Sequence, residues 1–164
     1  MRQTKKIIMK RVFTLFLKAA ILLIAMAALL WMVWAPQTEG RAANLDLIGI
    51  YTDPFIIYCY IAAIPFFTAL FQAFKLTGYV DNEKIFSPSA VKAARSIKYC
   101  AITVSVFIIL GILYIRLFAN GDDPAGVTAL GVITAFASIA IATVATVFER
   151  FLQNKQSVLS GRSV

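Results

Sequence analysis

Histidine is absent from this chain. That removes imidazole from general acid–base catalysis, from metal ligation and from charge switching near neutral pH. Cysteine is scarce, with Cys59 and Cys100 alone. Acidic residues number 8 against 16 basic ones, and none of the acids falls deep within an apolar run. Ion- and proton-coupled transporters place Asp, Glu, His or a carbonyl cage at mid-depth, and no inverted repeat is visible here. There is no HExxH pair, no glycine-rich phosphate loop and no Ser/His or Cys/His couple. These absences predict a protein that is not an enzyme, with no catalytic residue, no metal site and no cofactor.

What the chain has in excess is apolar residues, 60% of the total, with a mean hydropathy of +0.81. They are gathered into four runs, at about 12–34, 54–76, 99–118 and 127–148. A helix rises ~1.5 Å per residue, so ~20 apolar residues cross a ~30 Å hydrocarbon core. The expected fold is therefore all-α: an integral membrane four-helix bundle over residues 12–148. A basic lead (1–11) precedes it and a polar tail (149–164) follows. The first run is too long for the core of a cleaved signal, and Pro36 would follow a cut after Ala35 directly, so a retained first span is expected.

Charge gives the orientation. Thirteen of the sixteen basic residues fall in the lead, in the segment between spans two and three, and in the tail. Basic loops stay in the cytoplasm, which places both termini there, in a multi-pass protein of the cell membrane. The formal net charge of +8 belongs to span ends and to anionic lipid. No zinc-finger spacing, RNP-like segment or helix-turn-helix points to direct nucleic-acid binding. On this topology Cys59 and Cys100 differ in depth by about 20 Å, too far for a disulfide. They read as small buried hydrophobes.

Along the chain, Lys18 lies about a turn inside span one and reads as a lysine snorkelling to the headgroups, with a buried counter-ion as the second reading. Trp31 and Trp34 mark the opposite interface. The second half of the first outer loop is apolar from Leu45 to Tyr51 and suits either the interface or a cap on the bundle. Asp53-Pro54 reads as an N-cap and first helical residue. Pro65 predicts a kink in span two, Gln72 an interhelical hydrogen bond, and Gly78 a helix C-cap. Asn120-Gly121-Asp122-Asp123-Pro124 reads as a tight capping turn. In span four, Gly131, Ala135, Ser138, Ala142 and Ala145 share one helix face. That face serves close packing within the bundle or contact with a second copy of the chain.

The segment 79–99 is the most specified locally. Ser87 suits an N-cap, Pro88 the next position, and Phe86 with Val91 a hydrophobic staple. The helix that follows carries Lys92, Arg95 and Lys98. Two readings stand: a docking surface for an acidic partner or anionic lipid, and an ordinary basic anchor. Pro65, Gln72 and Tyr99 are the candidates for lining a pocket beside the expected kink.

Ile64-Pro65-Phe66-Phe67, Gln72-Ala73-Phe74-Lys75, Tyr79-Val80-Asp81, Phe86-Ser87 and Ile97-Lys98-Tyr99-Cys100-Ala101 resemble a bacterial family of small four-helix membrane proteins of unknown function. The resemblance covers about residues 10–155 and brings no catalytic residue with it. It implies an association with a small helix-turn-helix regulator of the Cro/repressor type, since such genes are often neighbours. The expected function is regulatory or sensory, exerted through a cytoplasmic partner. The alternatives are a transport or immunity protein handling an apolar peptide or lipophilic compound, and an accessory subunit of another membrane protein.

Overall fold

The structure, a computed structural model, describes residues 2–38, 46–81, 84–118 and 124–161. The elements in chain order are α1 (Arg2–Thr38), α2 (Leu47–Tyr51), α3 (Pro54–Asp81), α4 (Pro88–Phe118) and α5 (Pro124–Gly161). No strand occurs among the described residues. Four helices, all but α2, are long and apolar enough to cross a membrane. The turn expected at 120–123 lies outside the described residues, as does 39–45 of the first loop.

The helices outrun the apolar stretches. Helical hydrogen bonding does not stop where hydrocarbon stops, and the flanks are rich in helix formers such as Lys92, Ala93, Ala94 and Arg95 or Glu149, Arg150 and Gln153. Gly78 is not a cap: α3 continues through it to Asp81, whose carboxylate is engaged as described below. The cap at Asp53 is present, with Asp53 Oδ1 accepting from Phe55 N–H at 2.8 Å. Ser87 caps α4 through its side chain, accepting from Ala90 N–H at 3.3 Å. Phe86 is found against Phe151 of α5, with ring centroids 6.5 Å apart. Pro65 stands inside α3, which runs on without a break.

Packing follows a row: α1 on α3, α3 on α4, and α4 on α5, the last being the most extensive contact. Neighbours are antiparallel. Tyr58, early in α3, donates to the carbonyl of Phe107, late in α4, at 2.5 Å. The starts of α1 and α4 and the ends of α3 and α5 therefore share one end, termed here the basic end. At the opposite end Pro36 has no N–H, so the carbonyl of Met32 loses its helical partner. Tyr60 of α3 supplies it, its hydroxyl donating at 3.1 Å. Tyr51 of α2 likewise donates to the carbonyl of Val33, and Ile50 is buried, so α2 closes over this end of α1.

The buried positions are mostly small: Ala90, Ala93, Ala94 and Ala101 of α4, and Ala135, Ala142 and Ala145 of α5. Large apolar side chains face outward on every long helix. That is the pattern expected where lipid, not water, is the surrounding medium, because close backbone packing then drives association. Cys59 is exposed and Cys100 half-buried, so the expectation of buried cysteines fails. The core takes alanines and hydroxyls instead, which allow the backbones closer. The two cysteines form no disulfide.

Candidate functional site at the basic end

The most tightly specified part of the molecule lies at the basic end. Ala90, Val91 and Ala94 of α4 pack with Leu152 of α5, and Leu76, Tyr79, Ile85 and Phe148 close around them. Leu152 is fully buried. Three helices and the 84–87 turn therefore meet in one small apolar cluster.

An ion-paired group sits one turn from it. Glu149 of α5 is 5% exposed. Its Oε1 accepts from Arg95 Nε at 2.7 Å and its Oε2 from Lys98 Nζ at 2.7 Å. Gln153, one turn on, donates to Oε1 at 3.1 Å. Both oxygens of a buried carboxylate are thus satisfied, as burial of a charge requires. Lys98 Nζ also stands 5.0 Å from the centre of the Tyr99 ring. Arg95 keeps about half of its side chain exposed, with its Nε committed to Glu149.

A second pair ties α1 to α3. Lys18 Nζ lies 2.5 Å from Asp81 Oδ2, and the hydroxyl of Thr14, a buried residue, bonds the same carboxylate. Lys18 thus has a carboxylate partner, where the sequence reading prefers a lysine snorkelling to the headgroups over a counter-ion. The physical reason is the extra turn of α3 past Gly78, which carries Asp81 up to the lysine.

The structure brings Arg95 and Lys98 together on one carboxylate. Lys92 is exposed, and among the described residues no acidic side chain pairs with it. Tyr99 is exposed. Gln72 is half-buried, and no hydrogen bond from it to another helix is found among the described residues. Three open clefts are described, of about 270, 340 and 290 Å³. None of the three is lined by Pro65, Gln72 or Tyr99.

Ala135, Ser138, Ala142 and Ala145 are buried, and α4 is the helix α5 packs against. Gly131 belongs to the same contact: a Cβ built there would stand 2.9 Å from Cδ1 of Ile112 on α4. Glu149 escaped sequence reasoning, yet a signal was available. The stripe Ala135, Ser138, Ala142, Ala145 advances by three, four and three. The next steps of four and three land on Glu149 and Leu152. A repeat averaging 3.5 residues keeps one seam against a partner helix, so Glu149 belongs to the α4–α5 seam.

Comparison with known proteins agrees with this outline. Residues 25–157 match a family described as "Protein of unknown function (DUF2975)". The matched stretch holds the α4–α5 seam, Asp81 and Glu149. The chain is 38% identical over 154 residues to "Uncharacterized membrane protein YoaS" of Bacillus subtilis (strain 168), covering 93% of this chain and 96% of that one. No solved structure matches. Four apolar helices, a small-residue seam and these two likenesses converge: the chain belongs to the DUF2975 family of membrane proteins of unknown function.

Proposed function

We propose that this is a regulatory or sensory membrane protein that works without catalysis, by holding a cytoplasmic partner at its basic end. Both termini and the 79–99 segment then face the cytoplasm, a reading that the distribution of basic residues supports. A small helix-turn-helix regulator, the association implied by the family resemblance, is the partner class we put forward.

One observation carries the reading. Asp81 and Glu149 are each spent on cations inside the molecule, whereas Arg11, Lys75, Lys84, Lys92, Arg150 and Lys155 are exposed. Among the described residues, the unpaired charged side chains offered outward at this end are therefore of one sign, and they stand around the best-packed part of the protein. A rigid cationic platform suits an acidic protein surface. Electrostatic complementarity of this kind governs encounter and specificity.

Crosslinking mass spectrometry in native membranes, with the reactive probe at Lys92, tests it. The expected result is reproducible capture of one soluble protein, lost when Lys84, Lys92 and Lys155 are changed to glutamate. Capture of lipid or of the chain itself alone overturns the reading.

A further inference from the structure

The α4–α5 pair has a face turned away from α3, and that face combines an apolar groove with cations at its basic rim. The groove is an open cleft of about 290 Å³. Ile102, Ser105 and Val106 line it from α4, and Ile139, Thr143 and Thr146 from α5. Its hydroxyls are already engaged. Ser105 donates to the carbonyl of Ala101, Thr143 to that of Ile139 and Thr146 to that of Ala142. Their protons are thereby spent on the backbone, so the hydroxyls offer a ligand acceptor oxygens but no donor for a phosphate, and the aliphatic side chains of Ile102, Val106 and Ile139 supply the surface on which an acyl chain can lie.

The rim is different. Residues at i, i+3, i+4 and i+7 share a helix face. Arg95 is seven residues before Ile102, and Lys92 and Tyr99 flank Arg95 on the same side of α4. On α5, Arg150 follows Thr146 by four residues. Both Lys92 and Arg150 are exposed, and Arg95 is half-exposed with only its Nε given to Glu149. Glu149 is the carboxylate facing this group, and it is shared between Arg95 and Lys98, so the immediate cluster retains a net positive charge before Lys92 and Arg150 are added. Seven residues of helix place this charge about 10 Å from the mouth of the groove. That is the order of the separation between a phospholipid's phosphate and the first part of its acyl chains. Tyr99 stands between the two, with an exposed ring, at the level where amphipathic aromatics sit in a bilayer.

We infer that this face binds an anionic phospholipid of the surrounding bilayer, its phosphate held by Arg95 with Lys92 and Arg150, and one acyl chain laid in the groove between α4 and α5. The bound lipid covers the outward guanidinium nitrogens of Arg95 while Nε stays on Glu149, so the lipid and the α4–α5 ion pair share one residue. The site shares Lys92 and Arg150 with the protein-docking platform proposed above, but its groove faces the hydrocarbon and its occupancy requires no soluble partner.

The test uses the full chain in vesicles of phosphatidylcholine containing a minority of lipid brominated on its acyl chains. Tyr99→Trp supplies a fluorescent reporter beside the groove, and the unsubstituted chain, whose Trp31 and Trp34 are at the opposite end, supplies the background. The expected result is quenching of the introduced indole several-fold stronger with brominated phosphatidylglycerol than with brominated phosphatidylcholine at equal mole fraction. Arg95→Gln should abolish that preference. Thr143→Leu, which fills the groove without touching the ion pair, should weaken quenching by the anionic lipid and leave the helical content unchanged. Equal quenching by the two lipids, or a preference that survives Arg95→Gln, overturns the proposal. Because only purified protein and lipid are present, this outcome is separate from the success or failure of partner capture.

Discussion

Glu149 illustrates how much one side chain can organise in a protein whose interior is mostly alanine. A single carboxylate gathers Arg95, Lys98 and Gln153, and its position on the α5 seam means that its charge cannot turn to water without breaking the helix contact. Removing one member of a buried pair leaves the others uncompensated, at a cost of about 3–5 kcal/mol when burial is complete. Arg95 is half-exposed and can rehydrate, so for Glu149→Gln we expect a smaller loss, about 1–3 kcal/mol, in the range of a charge-assisted hydrogen bond. The measurement is reversible unfolding of the purified protein in mixed detergent micelles. Partial recovery in the swapped pair Lys98→Glu with Glu149→Lys would identify the loss as electrostatic. A loss within error of zero would show that the seam is held by its alanines alone.

The helices differ in how firmly they are held, and the difference follows from sequence. α5 offers α4 a small-residue seam along much of its length, so their backbones approach closely. α1 offers α3 a looser seam, in which Ala25 and Ala28 are half-buried between the larger Ile21 and Met32, and most of its described side chains are exposed. Two polar ties compensate, one at each end: Lys18 with Thr14 on Asp81, and Tyr60 on the carbonyl that Pro36 leaves open. Tyr60→Phe should cost about 0.6–1.5 kcal/mol, and Lys18→Met should lower stability by less, since both partners of that pair reach water. Together they should broaden the distance distribution between spin labels placed on α1 at Leu23 and on α3 at Phe71, while distances between α4 and α5 stay narrow. An unchanged α1–α3 distribution would mean that apolar packing alone fixes α1. This is also where the sequence was partly silent. Span existence, the Asp53 and Ser87 caps and the small-residue face of α5 are local or periodic signals, and they can be read directly. The Lys18–Asp81 tie joins residues 63 positions apart, and it depends on α3 running past Gly78. Local propensity at a glycine argues for a stop there. The longer helix comes with a tertiary contact between α1 and α3, which no single stretch of sequence displays.

For the molecule as a whole, the serial order of contacts matters more than any one of them. A compact soluble protein of 18.0 kDa would expose about 8,000 Å², whereas this chain exposes 11908 Å². Large apolar side chains are exposed along every long helix, as suits a row of helices with lipid on both sides. The same row places every long overhang at one end. Among the described residues, α3, α4 and α5 extend past their apolar runs toward the basic end, so the thickest, most charged part of the protein stands on one side of the membrane. If basic residues set orientation here as they do generally, that side is the cytoplasm. Substituted cysteines in a background of Cys59→Ser and Cys100→Ser check this directly. Ile48→Cys, on α2, should react in intact cells with a membrane-impermeant maleimide. Ser89→Cys and Ser157→Cys should react only after the membrane is opened. Labelling of Ser89→Cys and Ser157→Cys from outside, with Ile48→Cys protected, would reverse the orientation and remove the cationic platform from any cytoplasmic partner. Labelling of Ser89→Cys and Ser157→Cys from opposite sides would break the antiparallel row itself, because the seam between α4 and α5 requires the start of one and the end of the other to share a face of the membrane.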